Sequence, residues 1–560
     1  MGEDRLKRVV IVGGGIAGLA TAALLAHEGY SVQLLERNER VGGRAGTAEN
    51  NGFRFDTGPS WYLMPRVFDH YFAMLGTSTR EQLDLVTLDP GYKVYSEPSG
   101  DGPADHITIP WGLSKASAIF EHREQGSGRI LQRYVSSAKT TAIMAERYFL
   151  YNTFRSWRSL ASPEILKAIP RLIQLLGTSL DSFIARQFRD PVLRQILGYP
   201  AVFLGTEPRQ APAMYHLMSS LDMDEGVQYP HGGFWHLVER LEKLARDAGV
   251  EIVTAADVTS IATEPATKTG PVAKVCRMRH QARGVHWTAA DGASHFAAAD
   301  VVVSAADLHH TETQLLSPAA RSYPERWWHR KQSGPGAVLV LLGVAGKIPQ
   351  LEHHSLFFTK DWAKNFDAIF GANPVVPAPA SIYVCKPSAS DPTVAPEDHE
   401  NLFVLVPIPA DPSLGFGGQD GAGDDPVERA ADAAIEQISS WANIPDLKER
   451  IVVRQTIGPA DFERDYNSWR GGMLGPSHIL RQSAMFRAQN ASKRVQNLFY
   501  AGATTAPGVG VPMCLISAEL VLKHLRGDKT AGPLDEPRAR PIALAEEGDS
   551  SQHRSAQVSQ

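Results

Sequence analysis

The stretch VVIVGGGIAGLATAALLA, residues 9–26, decides the fold. It is uncharged, follows Lys7 and Arg8, and is long enough to imitate a secretory signal or a marginal membrane span. Glycine spacing separates these readings. Val9, Val10, Ile11 and Val12 form a β-branched strand, Gly13-x-Gly15-x-x-Gly18 follows, and a helix runs to about Glu28, where Gly29 ends it. Residues 31–35 form a second strand that closes at Glu36. Gly13 permits a tight turn, Gly15 lets the backbone approach a pyrophosphate, and Gly18 lets helix and strand pack closely. The helix start, with Ile16 and Ala17, offers unpaired N–H groups and a positive dipole end to phosphate. Glu36, eighteen residues after Gly18, is placed to accept hydrogen bonds from the ribose hydroxyls of an adenosine half. Strand, glycines, helix, strand and terminal acid in this order predict a dinucleotide-binding βαβ unit.

The rest of the chain narrows the class. Its 560 residues suffice for three or four domains, and 43% hydrophobic with 21% charged residues is the composition of a folded soluble protein. Lys plus Arg number 56 against 61 Asp plus Glu, a net charge of −5, so there is no chain-wide electrostatic case for nucleic acid. Cys276, Cys385 and Cys514 lie far apart without a CxxC, which encodes neither a disulfide framework nor a cysteine-rich zinc site. HExxH, GxSxG and Walker A patterns are absent. The adjacent pairs His309-His310 and His353-His354, whose rings tend to point apart, read as ordinary polar residues, and no metal is expected.

After Glu36 comes RNERVGGRAGT, residues 37–47, with Arg37, Gly42, Gly43 and Arg44 in a tight basic loop. Paired glycines allow close backbone approach, and a fixed guanidinium suits pyrophosphate or flavin oxygens. The loop resembles the RxGGR element of FAD enzymes in the amine oxidase and carotenoid desaturase superfamily. FRFDTGPSWY, residues 53–62, continues the resemblance through its DxGP, which contains Gly58 and Pro59. Near the C-terminus, NLFYAGATTAPGVGVPMCLISAELVLKHL (497–525) reads as a strand, a Gly/Thr/Pro turn and a helix. It resembles the signature of bacterial-type carotenoid desaturases, phytoene desaturase above all: N-x-aromatic, then G-A-G-T-x-P-G-x-G-x-P. Asn497, Phe499, Gly502, Ala503, Thr505, Pro507, Gly508, Gly510 and Pro512 supply it. Thr504 stands at a usual Gly/Ser position and Ala506 where many members carry His or Gln. YPHGGF (229–234), SAAD (304–307), APED (395–398), DFERDYNSW (461–469) and SAMFR (483–487) extend the resemblance over residues 7–527.

The resemblance implies bound FAD, held by Gly13, Gly15, Ile16, Ala17, Gly18, Glu36, Arg37, Gly43, Arg44, Gly58, Pro59, Val258, Gly502, Gly508, Gly510, Val511 and Pro512. It implies desaturation of a long apolar polyene, phytoene first, to products of the neurosporene or lycopene type. In that chemistry FAD takes a hydride at N5 and a positioned group receives the second hydrogen as a proton. Glu146, Arg147 and Arg155 resemble the family stretch proposed to approach the flavin, and Asp307 of SAAD is a further candidate. A solvated helix face and a turn cap are the competing readings of these residues. No second strand–GxGxxG–helix unit for a nicotinamide follows, which favours a quinone or oxygen as electron acceptor. Other readings on the same fold are an amine oxidase, a carotenoid isomerase or oxygenating enzyme, and a non-catalytic isoprenoid-chain binder resembling GDP dissociation inhibitors. Cys514 lacks the aromatic neighbours of a covalent flavin attachment and reads as a packed helix cysteine.

The expected architecture is α/β: a Rossmann-type, GR2-like FAD domain interwoven with an α+β substrate domain and a helical membrane-associating subregion. Residues 1–110, 225–310 and 471–527 are assigned to the FAD domain, 111–224 to the helical region, and 311–470 to the substrate domain. Residues 411–426 read as a mobile glycine-rich insertion and 528–560 as a disordered tail. In the helical region Ser162 and Pro163 open a helix on which Ile165, Ile169, Leu172, Ile173, Leu176 and Leu180 share a face, with Pro170 expected to kink it. Arg147, Arg155, Arg158, Lys167 and Arg171 against Glu164 leave a local charge of +4, and Phe149, Tyr151, Phe154 and Trp157 add aromatic residues. A basic amphipathic helix of this kind can lie on an anionic membrane surface, giving a cytoplasmic protein peripheral on the inner face of the membrane; the competing reading is a cap domain that packs on the flavin domain and shows its charges to water. The sequence does not specify an oligomeric state.

Overall fold

A computed structural model describes residues 6–100, 103–156, 162–266 and 278–536. Trp157, Arg158, residues 267–277 with Cys276, and the tail beyond 536 lie outside the described residues.

The quoted segment folds as a strand (Arg8–Val12) and a helix (Ile16–His27) followed by a second strand (Ser31–Leu35). These strands sit inside a five-stranded parallel sheet ordered Leu498–Tyr500, Val301–Ser304, Arg8–Val12, Ser31–Leu35, Glu251–Val253. Strand alternation sends Val9 and Ile11 to one face and Val10 and Val12 to the other. The first face is covered by Ile16–His27 with Gly233–Asp247 and Val511–Arg526 at its sides. An antiparallel meander of Asp257–Pro265, His280–Thr288 and Ser294–Ala298 covers the second. Both faces are therefore dry, which is why the strands are near-continuous Val, Ile and Leu.

A seven-stranded mixed sheet forms the second body, ordered Ile451–Ile457, Gly336–Ala345, His399–Ile408, Ile382–Cys385, His354–Phe358, Tyr92–Ser96, His106–Ile109. The helix Asp425–Trp441 packs on one face. The helical region, including Ser127–Ala145 and Pro191–Gly198, packs on the other. Strands Tyr92–Ser96 and His106–Ile109 lie in this sheet, although the sequence division placed residues up to 110 with the dinucleotide-binding unit. The reason is two-sided burial: Tyr92 and Val94 enter one core and Tyr95 the other, which only an interior strand satisfies. The glycine-rich segment at 411–426, read from composition as mobile, is tied to its neighbours. The Gly417 N–H donates to Asp461 Oδ2 at 2.7 Å and the Gly418 N–H to Thr456 Oγ1 at 2.8 Å.

In the helical region Ser162 Oγ caps Pro163–Gly177, accepting the Ile165 N–H at 3.2 Å, and the helix is continuous across Pro170. Its faces differ from the expected arrangement. Ile165 and Leu175 are buried, while Leu166, Ile169 and Ile173 are 56%, 40% and 67% exposed. Arg171 turns inward, donating to Ser137 Oγ at 2.6 Å and lying 5.4 Å over the Phe183 ring. Tyr151 is buried, and Phe149 and Phe154 face an internal cavity instead of a surface. No helix among the described residues is long and apolar enough to cross a membrane.

A Cβ at Gly18 would lie 1.9 Å from the Gly13 carbonyl oxygen. Gly to Ala inside a helix ordinarily stabilises by about 1 kcal/mol. Here backbone must move, so Gly18→Ala is expected to destabilise by about 1–3 kcal/mol, the range for overpacking. Thermal unfolding would check this, and a variant melting above the parent would contradict the packing assignment.

Candidate active site

The first strand and helix meet four other segments at the carboxyl end of the parallel sheet, the place where α/β folds bind ligands. Gly13 (φ +97°) turns the chain, and a Cβ there would sit 3.1 Å from the Ala306 nitrogen. The Gly42 N–H donates to the Gly14 carbonyl at 2.9 Å, which lays the Gly42-Gly43-Arg44 loop against the first glycine turn. A Cβ at Gly43 would be 3.3 Å from Gly15 Cα, and one at Gly58 would be 1.9 Å from the Arg44 carbonyl oxygen. Gly508 packs on the His478 ring in the same manner, at 2.2 Å from a would-be Cβ. By contrast, a Cβ at Gly15 would meet nothing closer than 3.9 Å, so the helix start is open.

Glu36 closes the second strand with its carboxylate turned inward. Oε2 accepts the Gly14 N–H at 2.6 Å and Oε1 the Asn38 N–H at 2.8 Å. Burial pushes this carboxyl above its ordinary range, opposed by the N–H groups of Asn38 and Gly14. Each oxygen keeps acceptor capacity for a ribose hydroxyl. Arg37 donates to Asn467 Oδ1 at 3.0 Å and to the Arg464 carbonyl, joining the strand end to residues 464–467. Arg44 donates to Ser468 Oγ at 2.6 Å and stands 3.6 Å from Asp307 Oδ2. Arg44 Nε and Asp307 Oδ2 are buried and have no hydrogen-bond partner. Unsatisfied buried polar atoms need an explanation. With the open glycine turn and the helix start, they fit a dinucleotide with a pyrophosphate and a polar ring edge, as FAD has. The residues present therefore suit the cofactor that the resemblance implies.

One cavity of about 580 Å³ runs from this cradle into the gap between the two sheets. Gly13, Gly15, Ile16, Ala17, Glu36, Arg37, Gly43, Arg44, Gly58, Pro59, Val258, Gly502, Gly510, Val511 and Pro512 line it. Gly18 and Gly508 do not; they provide the close packing behind it. The far arm has a different character, with Trp61, Tyr199, Phe203, Phe358, Tyr383 and Phe403 on its walls. Cys514 also lines the cavity, and burial pushes its thiol up to about 12, opposed by Arg44.

The candidate reactive residues separate. Glu146, at the end of the helix Ser127–Ala145, reaches the cavity and pairs with Arg66 at 3.3 Å. Arg66 also pairs with Glu225 at 3.3 Å, so two carboxylates share one guanidinium. Arg147 and Arg155 are exposed and are not on the cavity wall. Asp307 is on the wall, but its Oδ1 caps the helix Leu308–His310 by accepting the His309 N–H at 2.8 Å, and Oδ2 faces Arg44. It stands as a positioning residue of the cradle.

Sequence reasoning did not assign several residues that hold the site. Arg487, buried, donates to the carbonyls of Thr505 (2.9 Å), Ala503 (2.7 Å) and Pro476 (3.1 Å), and burial lowers its guanidinium to about 10. Asn490 Nδ2 donates to the Tyr500 carbonyl at 3.1 Å and the Ala506 carbonyl at 2.8 Å. Thr504, the departure from the usual small residue, accepts the Leu308 N–H on its hydroxyl at 3.2 Å and ties the C-terminal turn to the Asp307 turn. SAMFR carried Arg487 as part of the resemblance, without indicating its partners; Asn490 and Arg66 had no sequence signal.

Residues 16–521 match the family model described as flavin containing amine oxidoreductase. A carotenoid 3,4-desaturase of Haloarcula japonica is 38% identical, covering 94% of this chain and 99% of its own. A zeta-carotene-forming phytoene desaturase of Myxococcus xanthus is 31% identical over 93% of this chain and 94% of its own. A phytoene desaturase of Fusarium fujikuroi is 30% identical over 94% and 90%. Among solved structures, an oxidoreductase from Methanosarcina mazei superposes with a TM-score of 0.56 at 15% identity, covering 92% of this chain and 100% of its own. Putrescine oxidase bound to putrescine gives 0.56 at 15% identity over 93% and 99%. At that identity the structural likeness speaks for the fold alone.

Glu36→Gln keeps the shape and removes the charge. Hydrogen bonds to a charged group contribute about 1.5–3 kcal/mol, so FAD retention should fall roughly 10- to 100-fold. Flavin absorbance against protein after dialysis measures it; unchanged occupancy would remove Glu36 from the ribose contact.

Proposed function

The chain belongs to the flavin-containing amine oxidoreductase family, and from that premise we propose that it is an FAD-dependent desaturase of an acyclic carotenoid. The observation that carries this reading is the cavity, in which one end is a charged glycine cradle and the other an apolar arm. Glu36, Arg37, Arg44, Asp257, Asp307 and Asp465 line the cradle end. Along the arm, Val202, Leu204, Met214, Leu339, Leu356 and Leu405 join the aromatic side chains. A substrate without polar groups is recognised by such walls through burial alone, at about 25 cal/mol per Å² of apolar surface removed from water. An amine substrate would need charged or polar partners where the arm presents hydrocarbon.

Bound FAD supplies a two-electron acceptor for hydrogen removal from a carbon–carbon single bond. The chain's residues orient the polyene, exclude water and receive the remaining proton. Glu146 is the carboxylate placed on the cavity wall beyond the dinucleotide cradle, and it acts as the proton acceptor, oriented by Arg66. Glu225, the second partner of Arg66, is pushed up by burial, opposed by Arg66 itself. Asp307 and Arg44 position the cofactor's polar edge, and the Val511–Arg526 helix start faces the same region. A quinone or oxygen would serve as the final electron acceptor. The 38% identity to the carotenoid 3,4-desaturase exceeds the 31% and 30% to the phytoene desaturases, so partly desaturated acyclic carotenoids stand beside phytoene as substrates.

The polyene is dissolved in lipid, and the helix Pro163–Gly177 supplies a surface for it. Leu166, Ile169 and Ile173 follow helical spacing and are exposed together, with Lys167 exposed beside them. We infer peripheral contact with the cytoplasmic face of a membrane through this stripe.

Incubation of the flavoprotein with phytoene or a lycopene-type polyene in liposomes, with a quinone, should give products with red-shifted absorbance and two fewer hydrogens per step. Absence of turnover on every acyclic carotenoid would overturn the reading. Glu146→Gln should lower kcat by about 10²–10⁴, the usual contribution of a positioned acid or base, with flavin content unchanged. Ile169→Glu combined with Ile173→Glu should release the protein from anionic liposomes in a flotation assay; equal binding by variant and parent would discard the helix as the docking surface.

A further inference from the structure

Behind the apolar arm, outside the cofactor cradle, three metal-ligating side chains converge. One nitrogen of His353, one of His354 and the Cys385 sulfur all lie within 4.8 Å of one another, and all three residues are buried. Adjacent residues of an extended strand point to opposite faces. His353 escapes that rule because it lies in a bend just before the strand His354–Phe358. Its ring comes to 4.6 Å from that of His354, edge to face. Cys385 is the antiparallel partner of His354 in the sheet register, and the Lys386 N–H donates to the His353 carbonyl at 2.8 Å. The backbone itself therefore assembles the trio from two strands.

Each imidazole is held through one nitrogen. His353 Nδ1 meets Ser390 Oγ at 2.9 Å, and His354 Nδ1 meets the Tyr383 hydroxyl at 2.8 Å. That leaves Nε2 of both rings buried without a partner. His353 and His354 are 4% and 0% exposed, so water does not satisfy these atoms from outside. A histidine ligand that uses its second nitrogen for an orienting hydrogen bond is the usual arrangement around a metal.

We propose that His353, His354 and Cys385 form a structural site for a thiophilic d10 cation, Cu(I) or Zn(II). Two imidazoles and a thiolate are a soft donor set that selects these ions over Mg²⁺ or Ca²⁺. On binding, the thiol forms a sulfur–metal bond and releases its proton to solvent, with no change in oxidation state. Cu(I) with one thiolate and two neutral imidazoles carries no net charge, which suits a buried position. Zn(II) leaves one positive charge, in the field of both Asp391 and Lys386 near His353. The cation would stiffen the wall of the polyene arm. His354 stacks on Trp61 with ring centroids 4.6 Å apart, and Tyr383 joins His354 to Ser60, whose Oγ is 2.6 Å from its hydroxyl. Trp61, Ser60 and Tyr383 all line the cavity.

The full-length flavoprotein, expressed in zinc- or copper-supplemented medium and purified without chelator, should carry close to one equivalent of one of these metals by elemental analysis. Cys385→Ser and His354→Phe should reduce it to background while flavin content stays at the parent level. X-ray absorption of the metal-loaded parent should show a sulfur neighbour, at about 2.3 Å for zinc. This measurement decides the matter even if a variant fails to fold. Metal-free parent protein from both media, metal retained in folded Cys385→Ser, or an absorption spectrum with only nitrogen and oxygen neighbours would each overturn the site. Desaturase activity enters none of these readouts, so the site and the proposed reaction stand or fall separately.

Discussion

Backbone meets backbone at the carboxyl end of the parallel sheet, and the rest of the molecule is arranged around that contact. Gly13 lies against Ala305 and Ala306, Gly18 against Gly13, Gly43 against Gly15, and Gly58 against Arg44. These segments come from residues 13–18, 42–44, 58 and 305–306; a methyl group at Gly13, Gly43 or Gly58 would separate two of them, and one at Gly18 would push the helix off its own glycine turn. The close approach exposes N–H groups at the helix start with no side chain in front of them, which is what a pyrophosphate requires. It also fixes where the chain returns. The strand Val301–Ser304 must run beside Arg8–Val12, and Leu498–Tyr500 beside that, for the Asp307 and Gly502 turns to reach the same cavity.

Charge follows from the same geometry. Polar groups concentrate where the sheet ends and backbone dipoles point into the cavity; beyond them the walls come from the buried face of the seven-stranded sheet and from the helical layer. The exception is the trio of Glu146, Arg66 and Glu225, two carboxylates around a single guanidinium. A fully neutralised pair would serve packing equally well. In the proposed reaction, an excess carboxylate beyond the cradle would be the group to take a proton and to oppose positive charge developing on a polyene. Arg147 and Arg155, one and nine residues further on, are exposed: Arg147 points outward from the helical turn Glu146–Leu150, and Arg155 lies beyond it.

The first βαβ unit was legible because its determinants are local: glycines at fixed offsets, a β-branched run, and an acid at the end of the next strand. The C-terminal turn was legible as a motif, though its supports were not. Arg487 and Asn490 act on main-chain carbonyls, and a carbonyl has no signature in a sequence. Tyr92–Ser96 was misplaced because a short strand buried on both faces carries no alternation to show which sheet it joins. Residues 411–426 look mobile by composition, yet their glycines are required for close approach, as Gly417 shows against the Thr456 carbonyl at 2.1 Å from a would-be Cβ. His353 and His354 defied the alternation rule through a single bend. The +4 local charge was real as a count, but Arg171 turns inward and Arg158 lies outside the described residues. What is left to favour a membrane is exposed hydrocarbon more than charge.

Ala506 marks how little of the cofactor turn depends on side chains. Where a polar residue is usual in the family, this chain has a buried methyl group on the cavity wall. The turn holds its shape regardless, because the Ala506 N–H donates to the Ala488 carbonyl at 2.8 Å and its carbonyl accepts from Asn490. Thr504 supplies a lateral connection by accepting the Leu308 N–H, which ties the Asp307 turn to the C-terminal turn. A polar side chain at position 506 is thus unnecessary for architecture, and the proton acceptor proposed above, Glu146, stands outside this turn on the same cavity wall.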